Sequence, residues 1–350
     1  MRNIRRNIVI VAQLMAFCCL GVLCSCTPDN IPSEVDYTIK VGTYNLWCSH
    51  SRTKKITADP SIDPQRYWKP SSTAMKAIVD DMGCDIYAFQ EIGDSIYGKK
   101  GLETSLRAMM GDEYEWVIWS NTDNGTLVTE YLGKLSYSPG ICFRKSMFYI
   151  LDGGVYWLGG NPAKAEFVRT EDFDPEYGDP KRACVWARMR HRPSGKVFYF
   201  LSTHLDTRSF SGVSYKMVND ENCKNLMAHA DKFIVPEGVP SIIAGDMNVA
   251  PNGSGYANLM NHLGRRHIWK DTYVLAQEAG VVGATALTSP FTTNSTKEQI
   301  GSSRIDHVFV EGFEVMNYDI NQNKYNTGNG SKHYPSDHFP IILTLKFSKL

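Results

Sequence analysis

The chain has 350 residues, 43% hydrophobic and 21% charged, with 37 basic residues against 37 acidic ones. That is a globular composition, long enough for one large domain or two small ones, and 11% aromatic residues supply a sizeable core without disulfide staples. The absence of a fixed repeat or low-complexity tract excludes solenoids and propellers, and the balanced charge argues against a chain that holds polyanions nonspecifically.

The first 26 residues read as a targeting segment. Arg2, Arg5 and Arg6 form a positive start, and an apolar stretch from Ile8 to Leu23, broken only by Gln13, follows. It has the length of a signal core and falls short of the ~20 apolar residues of a comfortable membrane span. It ends in Leu23-Cys24-Ser25-Cys26, which resembles a bacterial lipobox. Cys26 follows a small residue and fits the acylated position, whereas Cys24 follows bulky Leu23. The favoured reading is an exported lipoprotein, anchored in the cell envelope through Cys26 and facing the periplasm or the outside. A plain cleaved signal peptide, hence secretion, and an uncleaved anchor helix are the alternatives. Residues 27–37, with Pro28 and Pro32, read as a tether, and the body runs over 38–350. Removing residues 1–25 takes away three arginines and no acidic residue, so the mature chain carries a net charge of −3. The five cysteines beyond this segment (Cys48, Cys84, Cys142, Cys184, Cys223) are odd in number and lack a C-x-x-C pair. They form neither a disulfide framework nor a zinc-ligand set, and most fit the core as small apolar residues.

Residues 37–47 alternate apolar and polar side chains and read as a strand. Residues 72–81 carry helical spacing (Ala74, Met75, Ile78, Val79), with Ser71 or Ser72 as cap and Gly83 as stop. Strand-like runs follow at 85–90, 140–144 and 147–151. Runs 183–191 and 197–203 flank Arg192-Pro193-Ser194-Gly195, a hairpin turn. Residues 223–234 read as a helix and 240–244 as a fully buried strand. Runs 305–310 and 339–347 close the pattern, the last with Pro340 near its start. Strands outnumber helices and several are joined by hairpins, so the fold class is an α+β or α/β sandwich in one domain.

Six polar clusters interrupt or flank these runs: Thr43-Tyr44-Asn45, Gln90-Glu91, Thr203-His204-Leu205-Asp206, Gly245-Asp246-Met247-Asn248, Ile305-Asp306-His307 and Ser336-Asp337-His338. Each alone has an ordinary explanation as a turn-forming Asp or Asn, a hydrogen-bonded core His or a cap. Together they carry carboxylates, amides and histidines to one edge of a sheet. Metal-assisted phosphate hydrolysis needs that set: hard oxygen ligands for a divalent cation, an activated water, charge relief on phosphorus and a proton for the leaving group.

The six segments, in this order and closed by Tyr334-Pro335-Ser336-Asp337-His338-Phe339-Pro340, resemble the endonuclease/exonuclease/phosphatase superfamily over residues 38–348. The resemblance implies a four-layer sandwich of the deoxyribonuclease type, two mixed β-sheets face to face between helices, and a Mg²⁺ or Mn²⁺ cofactor. By the same resemblance Glu91 is the principal metal ligand, with Asn45 and Asp337 beside it, and Asn45 also near substrate. Asp246 orients and deprotonates the attacking water, and Asn248 holds a phosphate oxygen. His338 meets the developing charge, oriented and kept charged by Asp306. His204 stands near the leaving group, and Asp206 supports His204 or a second cation on the substrate side. Arg182 stands where related secreted members carry an arginine near substrate, and an ordinary strand-end charge is its alternative. His307 neighbours Asp306 on a strand and so points to the opposite face, as a packing or supporting residue. The sequence departs from the family where many members carry a glutamate before the strand at 141–145. Ser136-Tyr137-Ser138-Pro139 stands there, and Glu130 is the nearest substitute.

The expected activity is phosphoester hydrolysis outside the cytoplasm, by a monomer, with diesters ahead of monoesters. Candidate substrates are nucleic acid, phospholipid head groups and sugar or inositol phosphates. The alternatives are a secreted nuclease, which calls for a basic groove and base-stacking aromatics such as Tyr67, Trp68 or Trp119, and an inactive surface binding protein.

Overall fold

Four strands converge on one end of the molecule, and that polarity organises everything else. The computed structural model describes residues 36–46, 72–92, 109–119, 127–128, 138–163, 182–206, 215–262, 265–283, 304–326, 332–333, 335–336 and 338–348. Cys26, Asp337, Tyr67, Trp68 and Glu130 lie outside them, as do Cys48, the targeting segment and nearly all of the tether.

The first sheet has seven strands, β1 (Thr38–Asn45), β2 (Ile86–Ile92), β3 (Tyr114–Trp119), β4 (Leu127–Val128), β5 (Ser138–Arg144), β12 (Phe313–Ile320) and β15 (Ile341–Phe347), in the order β12-β15-β1-β2-β5-β3-β4. The second has six, β6 (Phe148–Trp157), β7 (Ala183–His191), β8 (Val197–His204), β9 (Ser241–Asp246), β10 (Lys270–Asp271) and β11 (Asp306–Glu311), in the order β10-β11-β9-β8-β7-β6. A short hairpin, β13 (Tyr325–Asn326) and β14 (Lys332–His333), stands apart. Helices α1 (Ser72–Met82), α2 (Tyr215–His229), α3 (Ser254–Met260) and α4 (Thr272–Ala279) complete the described elements, and a π-helical turn (Ala230–Ile234) continues α2.

Strand alternation sorts the side chains into layers. Ile39, Val41, Ile86, Ala88 and Ile141 from the first sheet meet Val185, Phe198, Phe200, Ile242 and Val308 from the second in one buried cluster. The opposite face of the first sheet packs Tyr44, Tyr87 and Phe89 on Ile78, Val79 and Met82 of α1. The outer face of the second packs Leu201, Ile243 and Phe309 with Cys223, Leu226 and Met227 of α2. This is the helix–sheet–sheet–helix sandwich expected from the sequence, and truncating a central ring such as Phe200 to Ala removes about 3–5 kcal/mol. Cys84, Cys142, Cys184 and Cys223 are buried free thiols, in keeping with the core role read for most of the cysteines.

β1 and β2 run parallel, as do β8 and β9, and all four end at the same pole. β11 and β15 are antiparallel to their neighbours β9 and β1, so they begin where those end. The chain enters β1 at the other pole, where Phe347 N–H donates to the Tyr37 carbonyl at 3.3 Å.

The sequence reading places most elements within a few residues. Gly83 stops α1 at φ 54°, and Gly195 turns the β7–β8 hairpin at φ 71°. Three differences stand out. β6 extends to Trp157, past a bulge between Ile150 and Asp152 that breaks its alternation. α2 begins at Tyr215, because Asn219 and Asn222 occupy its buried stripe and hide the apolar period. β15 begins at Ile341, one residue after Pro340, which has no N–H for the ladder. β3, β12, α3 and α4 are absent from the sequence reading.

Candidate active site

The last inward-facing position of each converging strand is polar. On the β1 register the inward residues are Ile39, Val41, then Thr43 and Asn45; on β9 they are Ile242, Ala244, then Asp246; on β8, Phe198, Phe200, then Ser202 and His204. His204, Asp246 and Asp306 stand on one rung of three neighbouring strands, and Asn45 pairs with Gln90 on the facing sheet. The register alone therefore assembles the site, with neighbours about 4.8 Å apart.

Glu91 is the exception. Alternation would turn it to the outer face with Tyr87 and Phe89, but its backbone is left-handed (φ 55°) and the β2–β5 register shifts between Phe89 and Ile92. The break returns its carboxylate to the site, where Asn45 Nδ2 donates to Glu91 Oε1 at 3.3 Å. Gly245 is needed for a related reason: at φ 154°, a Cβ there would stand 2.0 Å from the Thr203 carbonyl oxygen.

Asp246 is the hub. Asn45 Nδ2 donates to its Oδ2 at 2.9 Å, and the Asn248 amide donates to its Oδ1 at 2.9 Å. His204 Nε2 and His338 Nε2 lie 3.5 and 3.6 Å from the same Oδ2. His338 Nδ1 lies 2.8 Å from Asp306 Oδ2, which fixes the ring edge-on to Asp246. Asp246 is 1% exposed, and burial pushes its carboxyl up to about 7, with the Asp306 charge adding to the rise. His338, Asn45 and the Asn248 amide oppose it. The Ser336 hydroxyl donates to the Asn45 carbonyl at 2.6 Å and accepts from the His338 amide at 3.2 Å, tying the segment before β15 to the end of β1.

Asp206 and Arg182 form a second, adjoining pair, with Arg182 Nη2 3.7 Å from Asp206 Oδ1 and both residues buried. Asn222 Oδ1 accepts from the Asp206 amide at 3.3 Å, and Asn219 Nδ2 donates to the Asp206 and Met247 carbonyls, each at 3.0 Å. Asn248 Nδ2 donates to the Leu205 carbonyl at 2.8 Å. Sequence reasoning missed Asn219 and Asn222, because polar residues in a buried stripe hide its apolar period. His307 faces outward as its strand parity predicts, with Nε2 2.8 Å from the Val249 carbonyl.

Two donor sets present themselves to a divalent cation. Asp246, Asp306 and His338 offer ligand atoms within 4.8 Å of one another. That set is already engaged, because the imidazole and Asp306 bind each other and both Asp246 oxygens accept hydrogen bonds. Glu91 and Asn45 supply the harder oxygen set, a carboxylate and an amide joined by the Asn45 Nδ2–Glu91 Oε1 hydrogen bond. Their chemistry fits a hard divalent cation.

Solved structures with this fold include an endonuclease/exonuclease/phosphatase family protein from Bacteroides thetaiotaomicron (20% identity, TM-score 0.65, covering 90% of this chain and 100% of that one). A mannosyl-6-phosphatase from Bacteroides thetaiotaomicron VPI-5482 is similar at 22% identity and TM-score 0.64, over 88% of this chain and 100% of its own. D. rerio TDP2 complexed with a single-strand DNA product aligns at 14% identity and TM-score 0.56, over 89% and 99%. A search of curated protein sequences returned no match. The model of the Endonuclease/Exonuclease/phosphatase family matches residues 42–338, from the strand that ends in Asn45 to His338, so the chain belongs to that family of phosphoesterase and nuclease-type hydrolases.

Proposed function

We propose that this protein is an exported, Mg²⁺- or Mn²⁺-dependent phosphoester hydrolase acting on phosphodiesters. One observation carries the reading: a single buried oxygen, Asp246 Oδ2, is approached by Asn45, His204 and His338 from the ends of strands in both sheets. A structural carboxylate needs no second imidazole. A water-activating base flanked by groups for both phosphate charge and leaving group does.

Glu91 and Asn45 would hold the cation, with Asp337 as the sequence resemblance implies, and it would supply charge relief on the phosphate oxygens. Asp246 holds the attacking water and takes its proton as the new P–O bond forms. His338, held edge-on by Asp306, meets the charge that grows on phosphorus, and Asn248 steadies a phosphate oxygen. The bond to the leaving oxygen breaks on the side of His204, which returns a proton there. The Arg182–Asp206 pair, 3.7 Å apart, would serve to hold a substrate substituent.

Acylation at Cys26, a tether over 27–37 and a monomeric catalytic body over 38–350 complete the proposal, placing the enzyme in the cell envelope. Cys26→Ser is expected to release a soluble, active protein. The function is tested by incubating the purified protein with an aryl phosphodiester, an aryl phosphomonoester, DNA, RNA, sphingomyelin and inositol phosphates, with Mg²⁺, Mn²⁺ or chelator. Cation-dependent turnover of diesters supports the reading. Turnover undiminished in chelator, or none on any substrate, sinks it.

A further inference from the structure

Asp271, Arg304 and His307 form a buried polar chain on the outer side of the second sheet, behind Asp306. They are 1%, 5% and 0% exposed. Arg304 Nη1 donates to Asp271 Oδ2 at 2.8 Å and lies 2.8 Å from His307 Nδ1. An arginine only donates, so Nδ1 accepts and the ring's hydrogen stands on Nε2. That hydrogen is donated to the Val249 carbonyl at 2.8 Å.

The chain is braced along its length. Asp271 also accepts from the Tyr256 hydroxyl at 2.7 Å and the Tyr273 amide at 2.9 Å. The Arg304 guanidinium lies 4.6 Å from the Tyr273 ring centre, and the His307 ring stacks on Phe309 at 5.7 Å. Ordinary core packing explains none of this, because a buried charge pair and imidazole in place of apolar residues carry a desolvation cost.

The far end of the chain shows what it does. Val249 follows Asn248, whose backbone is left-handed (φ 51°), a conformation that regular structure does not supply. The preceding carbonyl, of Met247, is held by Asn219, and the Met247 amide by the Ile305 carbonyl at 3.0 Å. His307 holds the carbonyl on the other side. The turn is clamped before and after Asn248.

We propose that Asp271, Arg304 and His307 are positioning residues for the reaction, holding the Asp246–Val249 turn so that Asn248 and Asp246 keep their places against substrate. The proposal rests on the catalytic reading of those two residues given above. The chain fixes the His307 ring from one side, and the ring fixes the turn from the other.

The test is steady-state kinetics on an aryl phosphodiester with Mg²⁺, beginning with Asn248→Ala. Full turnover in that variant defeats the catalytic reading itself, whatever His307 does. With Asn248→Ala impaired, His307→Leu is expected to lower kcat about 10–100-fold, the range for residues that orient a catalytic group. KM stays within about threefold, as for an interaction felt only in the transition state. His307→Gln keeps a donor for Val249 and recovers most of the turnover. Adding His307→Leu to Asn248→Ala costs less than it does in the native chain, because the lever has lost part of its load. Native kcat in folded His307→Leu, losses that multiply in the double variant, or a Gln variant no better than Leu would each overturn the proposal. If His307→Leu does not fold, Arg304→Lys, which keeps the charge without the fork, is read against Asn248→Ala in the same way.

Discussion

Glu91 and Asn248 share a left-handed backbone, φ 55° and 51°, and among the described residues no other non-glycine has a positive φ. One lies next to last in β2, the other just past the end of β9, in different sheets, and they meet at one site. Strain of this kind collects where function demands a direction that regular structure does not supply. At Glu91 the demand is visible, since an ordinary strand conformation would bury the carboxylate among Tyr87 and Phe89. Glycine at either position is therefore expected to leave the protein on the order of 1 kcal/mol more stable than alanine does. Both substitutions remove turnover. Thermal denaturation of the four variants checks this, and alanine as stable as glycine would show that the backbone is not strained.

Gly245 has the opposite character: no other residue fits. Its Cβ would meet the Thr203 carbonyl oxygen at 2.0 Å and the Thr203 carbonyl carbon at 2.9 Å, backbone atoms with nowhere to go. Gly245→Ala must part β8 from β9 at the Thr203–Gly245 rung, next to the one that pairs His204 with Asp246. A loss of about 2–4 kcal/mol is expected from overpacking and backbone strain together, read from urea denaturation.

Asp246 ties stability to pH with a definite sign. Its carboxyl titrates near 7 in the folded protein and at the ordinary value of 3.8 when unfolded. Between these the folded state keeps a proton that the unfolded chain has released, so this contribution is complete below the lower value and lost as pH rises through the upper one. Turnover runs the other way, growing as the carboxylate forms. Asp246→Asn is expected to flatten the stability slope in the metal-free protein and to lower kcat by ~10²–10⁴-fold with little change in KM. Denaturation at pH 5 and pH 8 decides the first part; an unchanged slope in the variant would locate the proton elsewhere.

Asp306 Oδ2 lies 2.8 Å from His338 Nδ1 and orients that ring. Asp306→Asn and His338→Ala should each impair turnover, and the double variant should be little worse than the poorer single one. Losses that multiply would mean two independent roles.

The site was more legible in the sequence than the fold around it. Asn45, His204, Asp246 and Asp306 each break an apolar period of two at the inward position nearest the site, a mismatch that any strand reading exposes. Strand parity turns His307 outward, and its Nε2 lies 2.8 Å from the Val249 carbonyl on that side. What stayed hidden is what periodicity cannot carry. Asn219 and Asn222 made the first half of α2 read as polar chain, although both are buried and spend their amides on loop carbonyls. The link from Asp271 to Arg304 spans 33 positions and leaves no local pattern. The left-handed turn at Glu91 leaves none either, because glutamate has no preference for that conformation.

The polarity of β1 fixes a direction for the whole molecule. Its eight residues, at about 3.3 Å each, put roughly 25 Å between the chain's entry beside Phe347 and Asn45 at the site. The site and the point where the chain enters β1 thus stand at opposite ends of one strand.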